Sequence, residues 1–295
     1  MIRSRLASFL LALVALGGTF AAYAEEDGKV SGWAQLNMTQ GVTDMSREIY
    51  GLHMKIFWIC VVIAVAVFGV MIWSLVKFRK SRGAIPDVTL VHNTKVEFVW
   101  TVVPVIILVA MAVPAAKTLV QIEDTTKSEL TIKVTGFQWG WNYDYLDAGV
   151  SYYSHLDRAS DAARELTSGI DPSSVEHYLL NVDHPLVVPA GVKVRLLITG
   201  ADVIHSWWVP AFGVKKDAIP GFVNEAWFKV DADQPGLYRG QCAELCGRDH
   251  GFMPIVVDVR SKEDYAAWLK QKAAEVKQAA APAEPAAAAT APTAP

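Results

Sequence analysis

Apolar residues are distributed along this chain in two different ways. Up to Ala116 they form long unbroken runs, and after Lys117 they fall into short runs separated by Gly, Pro, Asp and Asn. The first long run, residues 9–16, follows Arg3 and Arg5 and leads to Ala22-Tyr23-Ala24. That is the layout of a signal peptide, residues 1–24, cleaved after Ala24. Residues 56–76 then give about 21 positions without a charge, enough for a helix to cross a bilayer core. Residues 98–116 form a slightly shorter run containing Pro104 and Pro114, which membrane helices tolerate when neighbouring groups satisfy the freed carbonyls. A transmembrane hairpin over residues 54–118 is expected, preceded by a mixed polar segment at 25–53 with some helix near Ser46 to Tyr50.

Beyond the hairpin the spacing changes to that of strands. Leu130, Ile132 and Val134 alternate; residues 186–189 and 192–198 are short apolar runs; Ala226, Phe228 and Val230, then Ile255, Val257 and Val259, alternate again. Several short strands with turn residues between them predict a β-sandwich or barrel over residues 119–260. Residues 152–178 interrupt the strands with a polar, partly helical insertion carrying Asp157, Asp161, Arg164 and Glu165. Ser261-Lys262-Glu263-Asp264 opens a helix, 261–278, as a capping box, with Tyr265, Trp268 and Leu269 on one face. Residues 279–295 contain only Ala, Pro, Thr and one Glu and cannot bury enough surface to fold.

Charge orients this arrangement. Lys77, Arg79, Lys80 and Arg82 cluster between the two spans, so the positive-inside rule puts that loop in the cytoplasm and the strand-rich domain outside. A hydrophobic share of 52% in 295 residues and a mean hydropathy of +0.25 agree with membrane segments plus one domain. With a net charge of -3 and no concentrated basic face, the composition argues against nucleic-acid binding.

The candidate chemistry is concentrated in Cys242-Ala243-Glu244-Leu245-Cys246-Gly247-Arg248-Asp249-His250-Gly251-Phe252-Met253. Two thiols at i and i+4 can point inward together, and His250 and Met253 add one nitrogen and one soft thioether; His205 is the candidate second imidazole. This donor set suits copper better than the oxygen-seeking metals, while zinc and a disulfide stay open on spacing alone. Cys60, in the first span, reads as a small buried apolar residue. Glu97, at the lip of the second span, is either a helix-start carboxylate or part of a proton route. The aromatic run from Phe137 through Trp139 and Trp141 to Tyr145 reads as one strand whose alternate residues share a face. His155, His177 and His184 read as surface residues.

The pattern C-x-E-x-C-G-x-x-H-x-x-M, preceded by V-I-H-S-W, resembles subunit II of bacterial haem-copper cytochrome c oxidase. The resemblance extends to Lys216-Asp217-Ala218-Ile219-Pro220-Gly221, to Gln138-Trp139-Gly140-Trp141 and to Val96-Glu97-Phe98-Val99-Trp100-Thr101, covering about residues 45–260. It implies a cupredoxin-like Greek-key domain holding two copper ions, a dinuclear centre bridged by Cys242 and Cys246. His205 and Met253 would then serve one ion, and His250 with the backbone carbonyl of Glu244 the other. The Glu244 side chain is implied as a ligand to magnesium shared with subunit I, Trp139 as the residue where electrons arrive, and Glu97 as the mouth of a proton channel. A basic c-type cytochrome is expected to dock on Asp144, Asp147, Asp183 and Asp202, with Ala201 filling a position that can be acidic in relatives.

Gly140 between the tryptophans departs from the family's W-Y-W form, and the absence of C-x-x-C-H implies a separate cytochrome donor. The function so implied is that of the electron-accepting subunit, in a bacterial inner membrane with subunit I and subunit III, its copper domain on the extracytoplasmic side. Alternatives are the copper subunit of another terminal reductase of the nitrous oxide reductase type, a quinol oxidase subunit, and a non-redox zinc or disulfide scaffold.

Overall fold

The computed structural model describes residues 37–85, 88–89 and 91–280. The expected signal peptide and all of the expected tail but residues 279–280 lie outside them. Helix α1 (Asp44–Lys77) and helix α2 (Thr94–Glu123) form the hairpin. Both are long and apolar enough to cross a membrane, and their apolar windows are unburied within the chain. The Lys80–Arg82 turn, closed by Gly83 in the left-handed region, carries the basic cluster between them.

α1 begins ten residues before the expected hairpin boundary, and α2 runs five residues past it. The reason is local at one end and tertiary at the other. Thr43 caps α1 through a reciprocal capping box with Ser46, an arrangement worth about 1 kcal/mol. Met45 and Ser46 are buried, and the Thr43 hydroxyl donates to the Phe212 carbonyl at 2.9 Å. A helix of 34 residues is about 50 Å long, against a hydrocarbon core of about 30 Å. The first turns, around Met45, Ser46 and Ile49, are the part that packs against the β-domain. At the other end of the hairpin, Glu123 pairs with Lys216 at 2.8 Å, and the Trp227 indole donates to the Gln121 carbonyl at 3.2 Å. Cys60, expected to be buried, is exposed on α1. The two helices cover only part of each other, so apolar residues on their outer sides need no protein partner.

The β-domain is two five-stranded sheets. One is ordered β3-β2-β1-β5-β8 and the other β4-β10-β9-β6-β7. The first sheet is built from β1 (Leu130–Phe137), β2 (Gly140–Tyr145), β3 (Val150–Ser154), β5 (Val194–Gly200) and β8 (Asn224–Phe228). The second contains β4 (Leu186–Pro189), β6 (His205–Val209), β7 (Val214–Ala218), β9 (Gly236–Cys242) and β10 (Pro254–Arg260). The β1–β5 and β4–β10 pairs are parallel and the remaining pairs antiparallel. Alternate residues point between the sheets, so Ile132, Val134, Trp141, Tyr143, Leu196, Ile198, Trp207, Phe228, Ile255 and Val257 form one core. This is the two-sheet architecture expected of a cupredoxin-like domain.

Between β3 and β4 lies helix α3 (Arg158–Arg164), and after β10 comes helix α4 (Lys262–Ala280). Ser261 caps α4 as the sequence predicts, accepting the Asp264 N–H at 3.0 Å. Tyr265, Trp268 and Leu269 pack on the core.

Candidate metal centre

Strand pairing assembles the site. β6 begins at His205, β9 ends at Cys242, and the two strands pair with Trp207 opposite Cys242. The loop from β9 to β10 is tied at its root by the Cys242 N–H to the Met253 carbonyl and by the Ala243 N–H to the Ser206 carbonyl, both at 3.0 Å. It therefore folds back over the end of the sheets and turns its sulfurs inward. Cys242, Cys246 and Met253 are buried. The two Sγ atoms lie 3.8 Å apart. Cys246 Sγ stands 3.5 Å from His250 Nδ1 and 4.0 Å from Met253 Sδ, and Cys242 Sγ is 3.3 Å from the Glu244 carbonyl oxygen. Ligand atoms of His205, Cys242 and Cys246 all fall within 4.8 Å of one another, the one such group of three among the described residues. Both thiols are free, which leaves them available as ligands rather than joined.

His205 is completely buried and fixed by its neighbours. Its Nε2 lies 2.9 Å from Asp202 Oδ1, and the same carboxylate accepts the Gln138 and Val203 N–H groups at 2.7 Å each. Its Nδ1 is buried with no hydrogen-bond partner. A buried imidazole nitrogen left unpaired costs stability unless something else satisfies it. With two thiols, a second imidazole and a thioether beside it, a soft transition metal fits that role and an oxygen-seeking ion does not. Room for the ring comes from Gly136, where a Cβ would approach His205 Cδ2 at 2.9 Å.

Electrostatics divide the two thiols. Burial opposes a thiolate at Cys242, but the adjacent His205 ring and the backbone at Ser206 and Glu244 outweigh it and hold this thiol below its ordinary range. At Cys246 burial and then the neighbouring Cys242 push the thiol above that range. Of the two, Cys242 ionises more readily and Cys246 less so, and a bound cation would favour ionising both. Burial alone would lower the His205 pKa, but Cys242 and Asp202 raise it. Burial would raise Asp202, but the His205 hydrogen bond lowers it. The two partners agree in sense.

Trp139 does not lie on a strand. Gln138 and Trp139 form the two-residue turn between β1 and β2, joined by a cis peptide bond, so the expected single strand through 137–145 is a hairpin. The period of two in Phe137, Trp139 and Trp141 runs across that turn and mimics a strand. The turn places the Trp139 indole N–H 3.2 Å from the Cys246 carbonyl, which also accepts from Gln138 Nε2 at 2.9 Å. Gly140 follows because a Cβ there would come within 2.9 Å of the Ser154 carbonyl.

The four carboxylates expected at a docking face are not equivalent in the structure. Asp202 turns its carboxylate on His205 and Gln138, a positioning role signalled in the sequence only by its place three residues before His205. Asp183 accepts the His155 N–H at 2.8 Å, close to the Trp139 end of β2, where Ser154 pairs with Trp141. Asp144 is mid-strand, opposite Lys133 and Ser151. Asp147 lies in the turn at the far end of β2, close enough to Tyr265 to add to the rise that burial gives the Tyr265 pKa. The six residues of β2 place it about 20 Å from Trp139, so a compact acidic face around Trp139 cannot include it. Glu244 is exposed beside the thiols. Glu97 accepts the Asn93 N–H at 3.1 Å, closing the cap that Asn93 makes to Lys95 and Val96. His155, His177 and His184 are at the surface.

Two family models match this chain: cytochrome c oxidase subunit II, transmembrane domain, over residues 31–118, and cytochrome c oxidase subunit II, periplasmic domain, over residues 130–260. A probable cytochrome c oxidase subunit 2 of Rickettsia bellii (strain RML369-C) is 39% identical over 238 residues, covering 81% of this chain and 84% of that protein. The cytochrome c oxidase subunit 2 of Cereibacter sphaeroides is 36% identical over 267 residues, covering 87% of each. Among solved structures, the periplasmic domain of subunit II of cytochrome oxidase (CoxB) of Bradyrhizobium japonicum is 41% identical, with a TM-score of 0.44 over 51% of this chain and 98% of that one. Two apolar helices, a two-sheet domain with a buried thiol–imidazole cluster, and relatives matched over most of their length converge on one assignment: the chain belongs to the family of cytochrome c oxidase subunit II, a component of the haem-copper oxidase complex.

Proposed function

We propose that this subunit accepts electrons singly from a c-type cytochrome at a dinuclear copper centre and passes them to haem in subunit I, where oxygen reduction is coupled to proton pumping. The observation that carries this is the buried pair of free thiols 3.8 Å apart, flanked by an imidazole nitrogen that has no other partner. Cys242 and Cys246 would bridge the ions, with His205, His250, Met253 and the Glu244 carbonyl as the remaining donors. When bound, the copper pair supplies one-electron chemistry in a site that changes little on reduction.

The protein supplies the rest. Asp202 fixes the His205 ring and directs its free nitrogen inward, the kind of outer contact that tunes a ligand. Cys242 is the thiol of the pair that ionises more readily. Trp139 and Gln138 both donate to the Cys246 carbonyl, giving the turn a hydrogen-bonded path to the ligand loop. Glu244, exposed next to the thiols, would serve a magnesium ion shared with subunit I. The basic turn between the helices supports an extracytoplasmic position for the metal domain at a bacterial inner membrane, where subunit III would be a further neighbour.

Full-length protein purified from membranes is expected to carry two copper ions per chain and to show a seven-line, delocalised mixed-valence paramagnetic resonance spectrum. One zinc per chain with no such spectrum would replace this reading with the scaffold alternative.

Glu97 is proposed as the cytoplasmic mouth of a proton route. Its contact with the Asn93 N–H makes Glu97→Gln an informative change, because an amide oxygen can still accept that bond and keep the helix start. Turnover is expected to slow while the copper spectrum is retained. Wild-type turnover and haem-reduction kinetics across pH would leave Glu97 as a helix-start residue only.

A further inference from the structure

The insertion between β3 and β4 has no role in the reading above, yet it reaches the ligand loop. α3 is capped by Asp157, whose carboxylate accepts the Ala159 and Ser160 N–H groups, and the helix buries Ser160 and Ala163. The Ser160 hydroxyl also accepts the Leu179 N–H at 3.1 Å, tying the helix to the returning chain. In its last turn Arg164, with 24% of its side chain exposed, pairs Nε with Asp161 Oδ1 at 2.7 Å. That bond aims the rest of the guanidinium outward from the helix. One terminal nitrogen lies 3.5 Å from Asp249 Oδ1, and the guanidinium carbon stands 4.5 Å from the centre of the Phe252 ring. Asp249 immediately precedes His250, and Phe252 immediately precedes Met253. Within this stretch the backbone supplies few bonds of its own, the His250 N–H to the Gly247 carbonyl at 3.3 Å and the Phe252 N–H to the Asp249 carbonyl at 2.9 Å.

We propose that Arg164 is a positioning residue for the metal centre: by holding Asp249 and Phe252 together it sets where His250 and Met253 stand. The inference rests on the reading of those two residues as ligands. Arg248 also pairs with Asp249, at 3.2 Å, but its side chain is 80% exposed, and exposed pairs of that kind contribute little. Arg164 is the less exposed cation and the one that also touches Phe252, so neighbouring charge does not replace it. A guanidinium suits this double contact, being planar against the ring and charged toward the carboxylate.

The test compares wild type, Arg164→Gln, Arg164→Lys and Arg248→Gln as full-length protein. Two readouts are taken: hydrogen exchange of the amides at 247–253 before copper is added, and, after loading, copper release to a chelator together with the paramagnetic resonance spectrum. Arg164→Gln is expected to raise exchange at 250–253, to speed copper loss on the order of tenfold, as other outer-contact losses do, and to alter the copper hyperfine pattern while circular dichroism stays unchanged. Arg164→Lys, which keeps the charge but not the planar contact, should fall between it and wild type, and Arg248→Gln should match wild type. Wild-type exchange, release and spectrum in Arg164→Gln, or an equal response in Arg248→Gln, would overturn the proposal. If wild type itself takes up no copper, the ligand reading has failed, and the exchange measurement alone still decides whether Arg164 holds the loop.

Discussion

Serine at position 242 or 246 is expected to abolish the delocalised copper spectrum and electron transfer to haem, while leaving the fold standing. A hydroxyl is harder and far less acidic than a thiol, and neither serine would serve as the soft anionic ligand that the proposed copper pair would take. The cost to the apoprotein is small by comparison. At 242 the new hydroxyl can donate to the Glu244 carbonyl, which Cys242 Sγ already approaches at 3.3 Å, so roughly 1 kcal/mol is at stake. At 246 the neighbour within reach besides Cys242 and His250 is the thioether of Met253, and a poorly satisfied hydroxyl costs about 1–3 kcal/mol. Both values are below the 5–15 kcal/mol typical of whole-domain stability. Thermal unfolding followed by circular dichroism, run beside copper analysis and paramagnetic resonance, separates the two effects. A serine variant with an unchanged delocalised spectrum would rule out the dinuclear assignment.

Trp139→Gln is expected to be the most damaging single change on the proposed donor-docking surface. The indole is half-buried, donates to the Cys246 carbonyl at 3.2 Å and lies 5.4 Å from the Arg248 guanidinium. Its removal takes away the aromatic group between solvent and the ligand loop without changing surface charge. Electron acceptance should therefore fall steeply at every salt concentration, with the salt dependence of association unaltered.

Carboxylate replacements should show the opposite signature. Two unit charges 8 Å apart in water interact by roughly 0.5 kcal/mol, so one Asp→Asn change lowers the association rate by about twofold at low salt, and the loss disappears as salt rises. Asp183→Asn, near the Trp139 turn, should respond most and Asp144→Asn less. Asp147→Asn should respond hardly at all, because about 20 Å exceeds two Debye lengths of about 8 Å. Asp202→Asn should instead disturb the copper spectrum through His205. Stopped-flow reduction by a basic cytochrome over a salt series reads all of these. Rates independent of salt in wild type would remove electrostatic docking from this face.

The hairpin was legible because length and the absence of charge are sufficient signals for a span, and the ligand loop because two thiols, an imidazole and a thioether in twelve residues is a rare chemical concentration. Features that depend on distant partners were not legible. The start of α1 at Asp44 follows from burial of Met45 and Ser46 against the Pro210–Phe212 turn, more than 160 residues away in the chain. Cys60 lies in a run so uniformly apolar that no periodicity separates a protein-facing from an outward-facing side. The Trp139 turn was hidden by an alternation that continues across it. Gly136 gave no sign that it makes room for His205, and Arg164 gave none that it reaches a loop 85 positions later.

The continuity of the hairpin helices with the β-domain bears on how electrons are handed onward. Only six residues separate the end of α2 from the start of β1, and the Lys193 ammonium grips the carbonyls of Asp124 and Thr126 within that stretch at 2.7 and 2.9 Å. α1 enters the domain with no linker at all, since the chain at Val42 is already bonded to Ala211 at 2.9 Å. The domain is thus mounted on two posts rather than tethered by a cord. A tethered module has to search for its acceptor at an effective concentration set by linker length. A mounted one has its distance to the acceptor built into the length of the posts, so electron hand-over calls for no swing of the domain between collecting a charge and delivering it.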